Sequence, residues 1–200
     1  RDIAQAHDIC PYYLSVEMTR WADLIVGDYN YFFDTGALLY HLTVENEWRV
    51  GVLIDEAHNL IDRAREMYSA NLSGADMDMA RAKAPAGIKR SLSRLKTQWS
   101  ALVERQVHDY ATYAEVPSDF ALALQSSIAK IGEHLLKQPQ DIAPELQRFY
   151  FDAIHFGHLA DVFGDHSICD IEKRDETHKT QASITLRNVI PAPFLAMRFE

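Results

Sequence analysis

Apolar and polar positions predict a mixture of helix and strand over the first sixty residues. Residues 12–22 follow Pro11 and carry apolar side chains at helical spacing, with the proline at a first-turn position. Residues 22–27 and 49–54 are short apolar runs of the kind that forms buried strands. Because helical or loop sequence separates these two runs, the pattern favours a parallel α/β sheet.

From about Asn59 onward the pattern becomes helical. Apolar residues on one face of residues 92–110 predict a long helix that is broken before Pro117, and Ser118 fits the start of the next one. A further apolar stripe over residues 146–163 predicts another helix. The short connections favour antiparallel packing of these helices.

The last part of the chain changes character again. Residues 166–179 are polar and charged and predict a loop or an irregular stretch. Residues 183–186 alternate polar and apolar side chains and predict a short strand. Pro191 and Pro193 then interrupt the chain before an apolar end.

The charge of the chain is unevenly distributed. The 200 residues carry a net charge of −9, the wrong sign for a protein that coats nucleic acid. Residues 80–105 hold seven basic residues and one acidic residue, a net charge of +6, which leaves −15 for the rest. Such a basic stripe can attract a polyanion locally, whereas the alternative is an ordinary solvated helix face.

Composition and cysteine count narrow the class of protein. No apolar run reaches the roughly 18 residues that a membrane span needs, so we expect no membrane association. Cys10 and Cys169 are far apart in the sequence and cannot form a disulfide framework. The chain starts without the apolar stretch of a secretory signal, and we expect a cytoplasmic location.

The most informative motif is Val-Leu-Ile-Asp-Glu-Ala-His-Asn-Leu at residues 52–60. An apolar strand places Asp55 and Glu56 at its carboxyl end, where open α/β sheets bind their ligands. In a nucleotide hydrolase, the first carboxylate holds Mg²⁺ through water and the second deprotonates the attacking water. His58 is placed to sense the γ-phosphate. The alternative is an ordinary strand-to-helix junction in which Asp55 caps the helix.

These residues resemble the DinG/XPD family of superfamily 2 DNA helicases, whose motif II is an Asp-Glu-Ala-His box. Cys-Pro-Tyr-Tyr at residues 10–13 is similar to the last cysteine of the family's iron–sulfur domain and the Pro-Tyr after it. Residues 22–34 resemble the strand and Tyr-Asn-Tyr segment that precede motif II. Residues 186–194 resemble the stretch that leads back into the first motor domain.

The resemblance implies an α+β, mostly α fold, with a helical arch domain inserted in a partial parallel α/β RecA-like motor domain. It implies ATP and Mg²⁺ as cofactors, with Asp55 holding Mg²⁺ through water, Glu56 as the catalytic base and His58 coupling hydrolysis to movement. Cys10 would be one ligand of a 4Fe–4S cluster in the parent protein. The implied domains are the edge of the iron–sulfur domain at 1–15, a partial helicase domain 1 at 16–62, the arch at 63–181 and the return to helicase domain 1 at 182–200.

The implied function is that of a fragment of an ATP-dependent 5′-to-3′ DNA helicase acting in repair or replication, associated with the nucleoid. Its partner would be single-stranded or forked DNA, guided by the arch. The residues expected to contact DNA are Tyr29, Asn30, Lys89, Arg90, Arg94 and Lys96. A helical module that docks a repair or replication protein, without motor activity, is the alternative.

The sequence departs from the family pattern in two motifs. The sequence lacks the Gly-x-x-x-x-Gly-Lys-Ser/Thr phosphate loop, and three of the four cluster cysteines would lie upstream of residue 1, so we expect the fragment alone to be inactive.

Two histidines suggest a rival function. His155 and His158 have an i, i+3 spacing that metal ligands also use, which makes a metal-dependent phosphohydrolase an alternative. No carboxylate pairs convincingly with these histidines.

Overall fold

Ten α-helices and a four-stranded antiparallel sheet make up the computed structural model, which describes residues 2–138, 140, 142–176 and 179–199. The amino-terminal part contains α1 (Asp2–Ala6), α2 (Pro11–Thr19), α3 (Asn30–Phe33), α4 (Leu38–Glu45), a 3₁₀ turn (Ala57–Asn59) and α5 (Leu60–Met67). The rest contains β1 (Ala70–Ser73), α6 (Gly74–Lys83), α7 (Ala86–Arg105), β2 (Tyr110–Tyr113), α8 (Ser118–Lys137), α9 (Pro144–Asp161), β3 (Ser167–Glu176), β4 (Lys179–Asn188) and α10 (Ala192–Ala196). The α+β, mostly α fold class is confirmed.

The sheet is built around a long hairpin. Its order is β1-β4-β3-β2, and every neighbouring pair is antiparallel. Cys169 and Ile171 of β3 and Ile184 and Leu186 of β4 are fully buried on the face that belongs to the hydrophobic core. The domain boundary predicted between residues 181 and 182 falls inside β4.

The helical layer supplies the large side chains of the core. The ring of Phe120 in α8 lies 5.6 Å from Trp99 of α7 and 5.9 Å from Phe156 of α9, edge to face in both cases. Prolines define two helix starts: α8 follows Pro117, and α9 has Pro144 in its first turn, where the missing N–H costs nothing. The helix predicted to start at Ser118 is confirmed, and the helix predicted over residues 146–163 is present as α9, which ends at Asp161.

The two strands predicted at residues 22–27 and 49–54 are not formed. Both runs have no regular secondary structure, and Val26 and Leu53 are 90% and 97% exposed. A strand needs a neighbour to satisfy its backbone N–H and C=O groups, and no described segment pairs with either run. The sheet of this structure therefore lies elsewhere in the chain and is antiparallel rather than parallel.

Two further expectations are wrong. Residues 166–179, predicted to be a loop, contain the whole of β3, because apolar Cys169 and Ile171 alternate with charged positions that mask the strand pattern. The helix predicted over residues 92–110 ends at Arg105. Gln106 leaves the helix and donates hydrogen bonds from its side-chain amide to the carbonyls of His108 (2.7 Å) and Ile171 (3.1 Å), which helps to bring the next residues alongside β3 as β2.

The carboxyl-terminal residues return to the amino-terminal part of the chain. Phe194 stacks on Tyr68 with ring centroids 4.5 Å apart, and the guanidinium of Arg198 lies 3.9 Å from the centre of the Tyr40 ring. Arg198 also donates a hydrogen bond of 2.6 Å to the carbonyl of Asp34. These contacts fix α3 and α4 against the end of the chain.

The sheet contains a buried carboxylate that is paired with an arginine. Asp170 of β3 is 2% exposed, and Arg187 of β4 donates a 3.0 Å hydrogen bond from Nε to its Oδ2. That hydrogen bond raises the pKa of Arg187. We expect Arg187→Leu to lower the free energy of unfolding by about 2 kcal/mol, because it leaves a buried charge without a partner. Urea unfolding of the purified chain measures this loss.

The matched control for this substitution removes an ion pair from the surface. Lys130 and Glu133 of α8 form an exposed pair with a 2.9 Å contact, and Lys130→Ala should cost about 0.5 kcal/mol or less. Equal losses in the two variants would contradict the structural role given to the pair of Asp170 and Arg187.

Candidate nucleotide and DNA site

The Asp-Glu-Ala-His segment forms a tight exposed turn between residues 49–54 and α5. Glu56 adopts a left-handed backbone conformation with φ of 49°, and its N–H donates a 2.9 Å hydrogen bond to Oδ1 of Asp55. Ile54 packs against the core and Leu60 is buried in it, while the side chains of residues 55–59 between them are exposed. The turn thus presents two adjacent carboxylates to solvent.

His58 lies beside the second carboxylate. Its Nδ1 is 3.3 Å from Oε2 of Glu56, and both side chains are mostly exposed. The sequence places these residues two positions apart, and the left-handed turn at Glu56 together with the following 3₁₀ turn brings their side chains into contact. The three residues predicted to carry catalysis, Asp55, Glu56 and His58, are therefore neighbours in space.

Tyr29 contacts the same turn from another element. Its hydroxyl donates hydrogen bonds to the backbone carbonyl of Asp55 and, at 3.2 Å, to that of Glu56. Tyr29 is half-buried at the start of α3, and Asn30 beside it is exposed, with its backbone N–H bound to Oδ1 of Asp28 at 3.2 Å. The sequence alone does not predict the contact between Tyr29 and Asp55, because no local pattern links residues 26 positions apart.

The basic residues predicted to contact DNA all lie on α7 but do not share one environment. Lys89, Arg90 and Arg94 are exposed, and among the described residues none of the three has an ion-pair partner. The helix buries its opposite face, which consists of Ile88, Leu92, Leu95 and Trp99. Arg90 and Arg94 follow each other at i, i+4 and point away from that face.

Lys96 differs from the other three basic residues. Its Nζ is 3.0 Å from Oδ2 of Asp78 on α6, and Arg81 approaches the other oxygen of the same carboxylate at 3.8 Å. These side chains line a groove of about 810 Å³ between α6, α7 and the β3–β4 hairpin, which the sequence did not predict. The charge of Lys96 is thus already partly neutralised within the chain.

The two cysteines occupy opposite environments. Cys10 is exposed immediately before α2, and Cys169 is buried in the sheet. Burial raises the pKa of the Cys169 thiol to about 12, so this residue stays protonated and unreactive at neutral pH. A 4Fe–4S cluster requires four thiolates, and one exposed cysteine does not by itself fit that requirement.

Possible metal ligands do not form a cluster in the part of the chain that the structure describes. No group of three or more His, Cys, Asp or Glu side chains there converges on a common point, and this includes His155. Nε2 of His155 instead lies 3.1 Å from the carbonyl oxygen of Ser69. Asp55 and Glu56 still fit Mg²⁺ chemically, because exposed carboxylate oxygens are ligands that this ion uses together with water and phosphate.

Comparison with known proteins gives consistent matches. The DEAD_2 family model matches residues 1–77. The chain is 39% identical over 72 residues to Regulator of telomere elongation helicase 1 homolog from Anopheles gambiae and 37% identical over 71 residues to Regulator of telomere elongation helicase 1 from Homo sapiens. It is 33% identical over 72 residues to Fanconi anemia group J protein homolog from Gallus gallus.

The sequence matches cover only part of this chain and a small part of each relative. Each sequence match spans 36% of this chain but only 6–7% of the relative, so the chain corresponds to a small part of the curated relatives. A solved structure of an XPD helicase matches 98% of this chain and 33% of its own length, with a TM-score of 0.61 and 21% identity, which shows a shared fold. No helix in the described part of the chain is both long and apolar enough for a bilayer span.

The DEAD_2 match over residues 1–77, the helicase relatives and the fold likeness together support the resemblance of this chain to a fragment of an XPD/DinG-family superfamily 2 helicase.

Proposed function

We propose that this chain is part of an ATP-dependent DNA helicase that moves 5′ to 3′ along single-stranded DNA in repair or replication. The observation that carries the proposal is the exposed turn in which Asp55, Glu56 and His58 are neighbours. Two of the relatives are named Regulator of telomere elongation helicase 1 and Fanconi anemia group J protein homolog, which supports a role in DNA maintenance.

Each of the three side chains of the turn has a separate role in the proposed hydrolysis of ATP. Asp55 would hold Mg²⁺ through water, and this ion would neutralise charge on the phosphates of ATP. Glu56 accepts a proton from the attacking water. His58 contacts Glu56 and transmits the state of the nucleotide to the rest of the motor. The phosphate loop that completes such a site is absent from this sequence, so the fragment alone should not hydrolyse ATP.

Single-stranded DNA would be bound by the solvent face of α7 and by the start of α3. Lys89, Arg90 and Arg94 offer positive charge that is not neutralised by acidic side chains in the described part of the chain, and Asn30 offers an exposed amide. Lys96 contributes less, because Asp78 lies 3.0 Å from its ammonium group. Binding through such contacts releases counterions and should weaken strongly with salt.

The domain plan proposed for the parent protein is the one that the resemblance implies. Residues 1–15, 16–62, 63–181 and 182–200 belong in turn to the iron–sulfur domain edge, helicase domain 1, the arch and helicase domain 1 again. The exposed apolar runs at 22–27 and 49–54 support this plan, because strands of a motor domain would be covered by neighbouring strands of that domain. Cys10 would supply one of four cluster thiolates, and the parent would lie in the cytoplasm with the nucleoid.

Strand displacement by the complete protein tests this function. We expect ATP-dependent unwinding of a duplex that carries a 5′ single-stranded tail and little unwinding of the same duplex with a 3′ tail. Unwinding from the 3′ tail alone would contradict the direction. The absence of ATP-dependent unwinding from both substrates would contradict the helicase assignment.

A second candidate function is the docking of a repair or replication protein without motor activity. An apolar groove of about 260 Å³ between α8 and α9 favours it, with Leu122, Ile128 and Ile154 in its lining and Leu122 strongly exposed. Substitution of Leu122 by Asp separates the two functions, because it should abolish docking of a protein while leaving ATP-dependent unwinding unchanged.

A further inference from the structure

We propose that Tyr29 is a positioning residue for catalysis, whose hydroxyl holds the backbone of the turn that carries Asp55 and Glu56. This inference rests on the proposed function and deepens it, since it concerns the same site. Its evidence is that one phenol hydroxyl donates to the carbonyl oxygens of both Asp55 and Glu56. Such a bifurcated contact fixes the two peptide groups from which the carboxylates extend.

The turn has few other restraints. In the described part of the chain, the other hydrogen bonds of residues 55–59 join close neighbours in the sequence, such as the bond from the N–H of Asn59 to the carbonyl of Glu56 at 2.8 Å. Glu56 is also held at a positive φ, a conformation that is unfavourable for a residue with a β-carbon. A strained and exposed turn needs an external contact to keep one conformation, and Tyr29 supplies it.

The element that carries Tyr29 is well anchored. Phe33 of α3 is buried and lies 5.8 Å from the Phe199 ring, and its carbonyl accepts a hydrogen bond from the Tyr68 hydroxyl. Arg198 binds the next carbonyl, that of Asp34. The Tyr29 hydroxyl therefore connects the exposed turn to a part of the protein that is packed on two sides.

The position of Tyr29 also links the proposed DNA contact to the proposed site of ATP hydrolysis. Asn30, the next residue, is a proposed DNA contact, whereas the Tyr29 hydroxyl reaches the turn with the proposed catalytic base. A displacement of the start of α3 by DNA would be passed to Asp55 and Glu56 through one side chain. We infer that Tyr29 sets the position of Glu56 and that it does so through its hydroxyl rather than through a stacked base.

The test removes only the hydroxyl. In the complete protein, Tyr29→Phe should lower kcat for DNA-stimulated ATP hydrolysis roughly five- to tenfold, the loss expected for one hydrogen bond that positions a catalytic group. The KM for ATP and the dissociation constant for single-stranded DNA should stay within about twofold of the wild type. The matched control is Tyr31→Phe: Tyr31 lies on the same helix and is exposed, and its hydroxyl has no hydrogen-bond partner among the described residues.

Three results would overturn the positioning role of Tyr29. An unchanged kcat in Tyr29→Phe, or an equal loss in Tyr31→Phe, overturns the positioning role, as does a loss confined to DNA affinity. Hydrogen–deuterium exchange of the backbone amides of residues 55–60 gives an independent readout, and we expect faster exchange in Tyr29→Phe alone. If the wild type proves to have no ATPase activity, the proposed function fails, and the exchange result still supports or overturns the restraint by Tyr29.

Discussion

Glu56→Gln in the complete protein should bind ATP with near wild-type affinity and hydrolyse it at least about a hundredfold more slowly, the scale of effect expected when a general base is lost. The amide keeps the size of the side chain and its place beside His58 but cannot accept the proton of the attacking water. Single-turnover hydrolysis and binding of a fluorescent ATP analogue measure the two properties separately.

The matched control is Glu66→Gln, which makes the same chemical change on α5. Glu66 is exposed and pairs with Arg63 at 3.7 Å, outside the Asp55–His58 turn. We expect wild-type hydrolysis from this variant. Near-normal turnover in Glu56→Gln would remove the catalytic base from the proposal, and a loss of ATP binding would make the residue a ligand for the nucleotide instead.

Reversing two charges on α7 should strongly weaken the binding of single-stranded DNA. The double variant Arg90→Glu, Arg94→Glu should bind single-stranded DNA about a hundredfold more weakly than the wild type at low salt, because two phosphate contacts become repulsive. The difference should shrink as salt rises, since screening removes attraction and repulsion alike. Fluorescence anisotropy of a labelled oligonucleotide over a salt series measures both quantities.

The control reverses two charges elsewhere on the helical layer. Lys130 of α8 and Arg148 of α9 are both exposed, and their replacement by Glu changes the net charge by the same amount. We expect a much smaller loss of affinity from this pair. Equal losses would mean that overall charge governs binding and that the outer face of α7 has no special role.

The sequence predicts the local features of this protein well. The start of α8 after Pro117 and the presence of Pro144 in the first turn of α9 depend on residues adjacent to the helix ends. Likewise, Asp55, Glu56 and His58 lie within four positions of one another, so a single turn is enough to bring them together. Helix starts and tight turns can be predicted because they depend on residues that are close together in the sequence.

Features decided by tertiary partners were missed. β2 follows α7 because its backbone pairs with β3, about sixty residues later, and this pairing overrides an apolar pattern that continues past Arg105. The runs at 22–27 and 49–54 have the composition of strands but no strand neighbour among the described residues. The contact of Tyr29 with Asp55, and that of Lys96 with Asp78, likewise depend on how separate elements pack.

We propose that the Asp55–His58 turn belongs to a motor that ATP hydrolysis drives and that single-stranded DNA stimulates. The most direct measurement is the rate of ATP hydrolysis by the complete protein with and without single-stranded DNA, in the presence of Mg²⁺. We expect slow hydrolysis without DNA and a rate at least about tenfold higher with DNA, as happens when a bound ligand completes a catalytic site. Hydrolysis that is absent, or that proceeds at the same rate with and without DNA, would contradict this proposal.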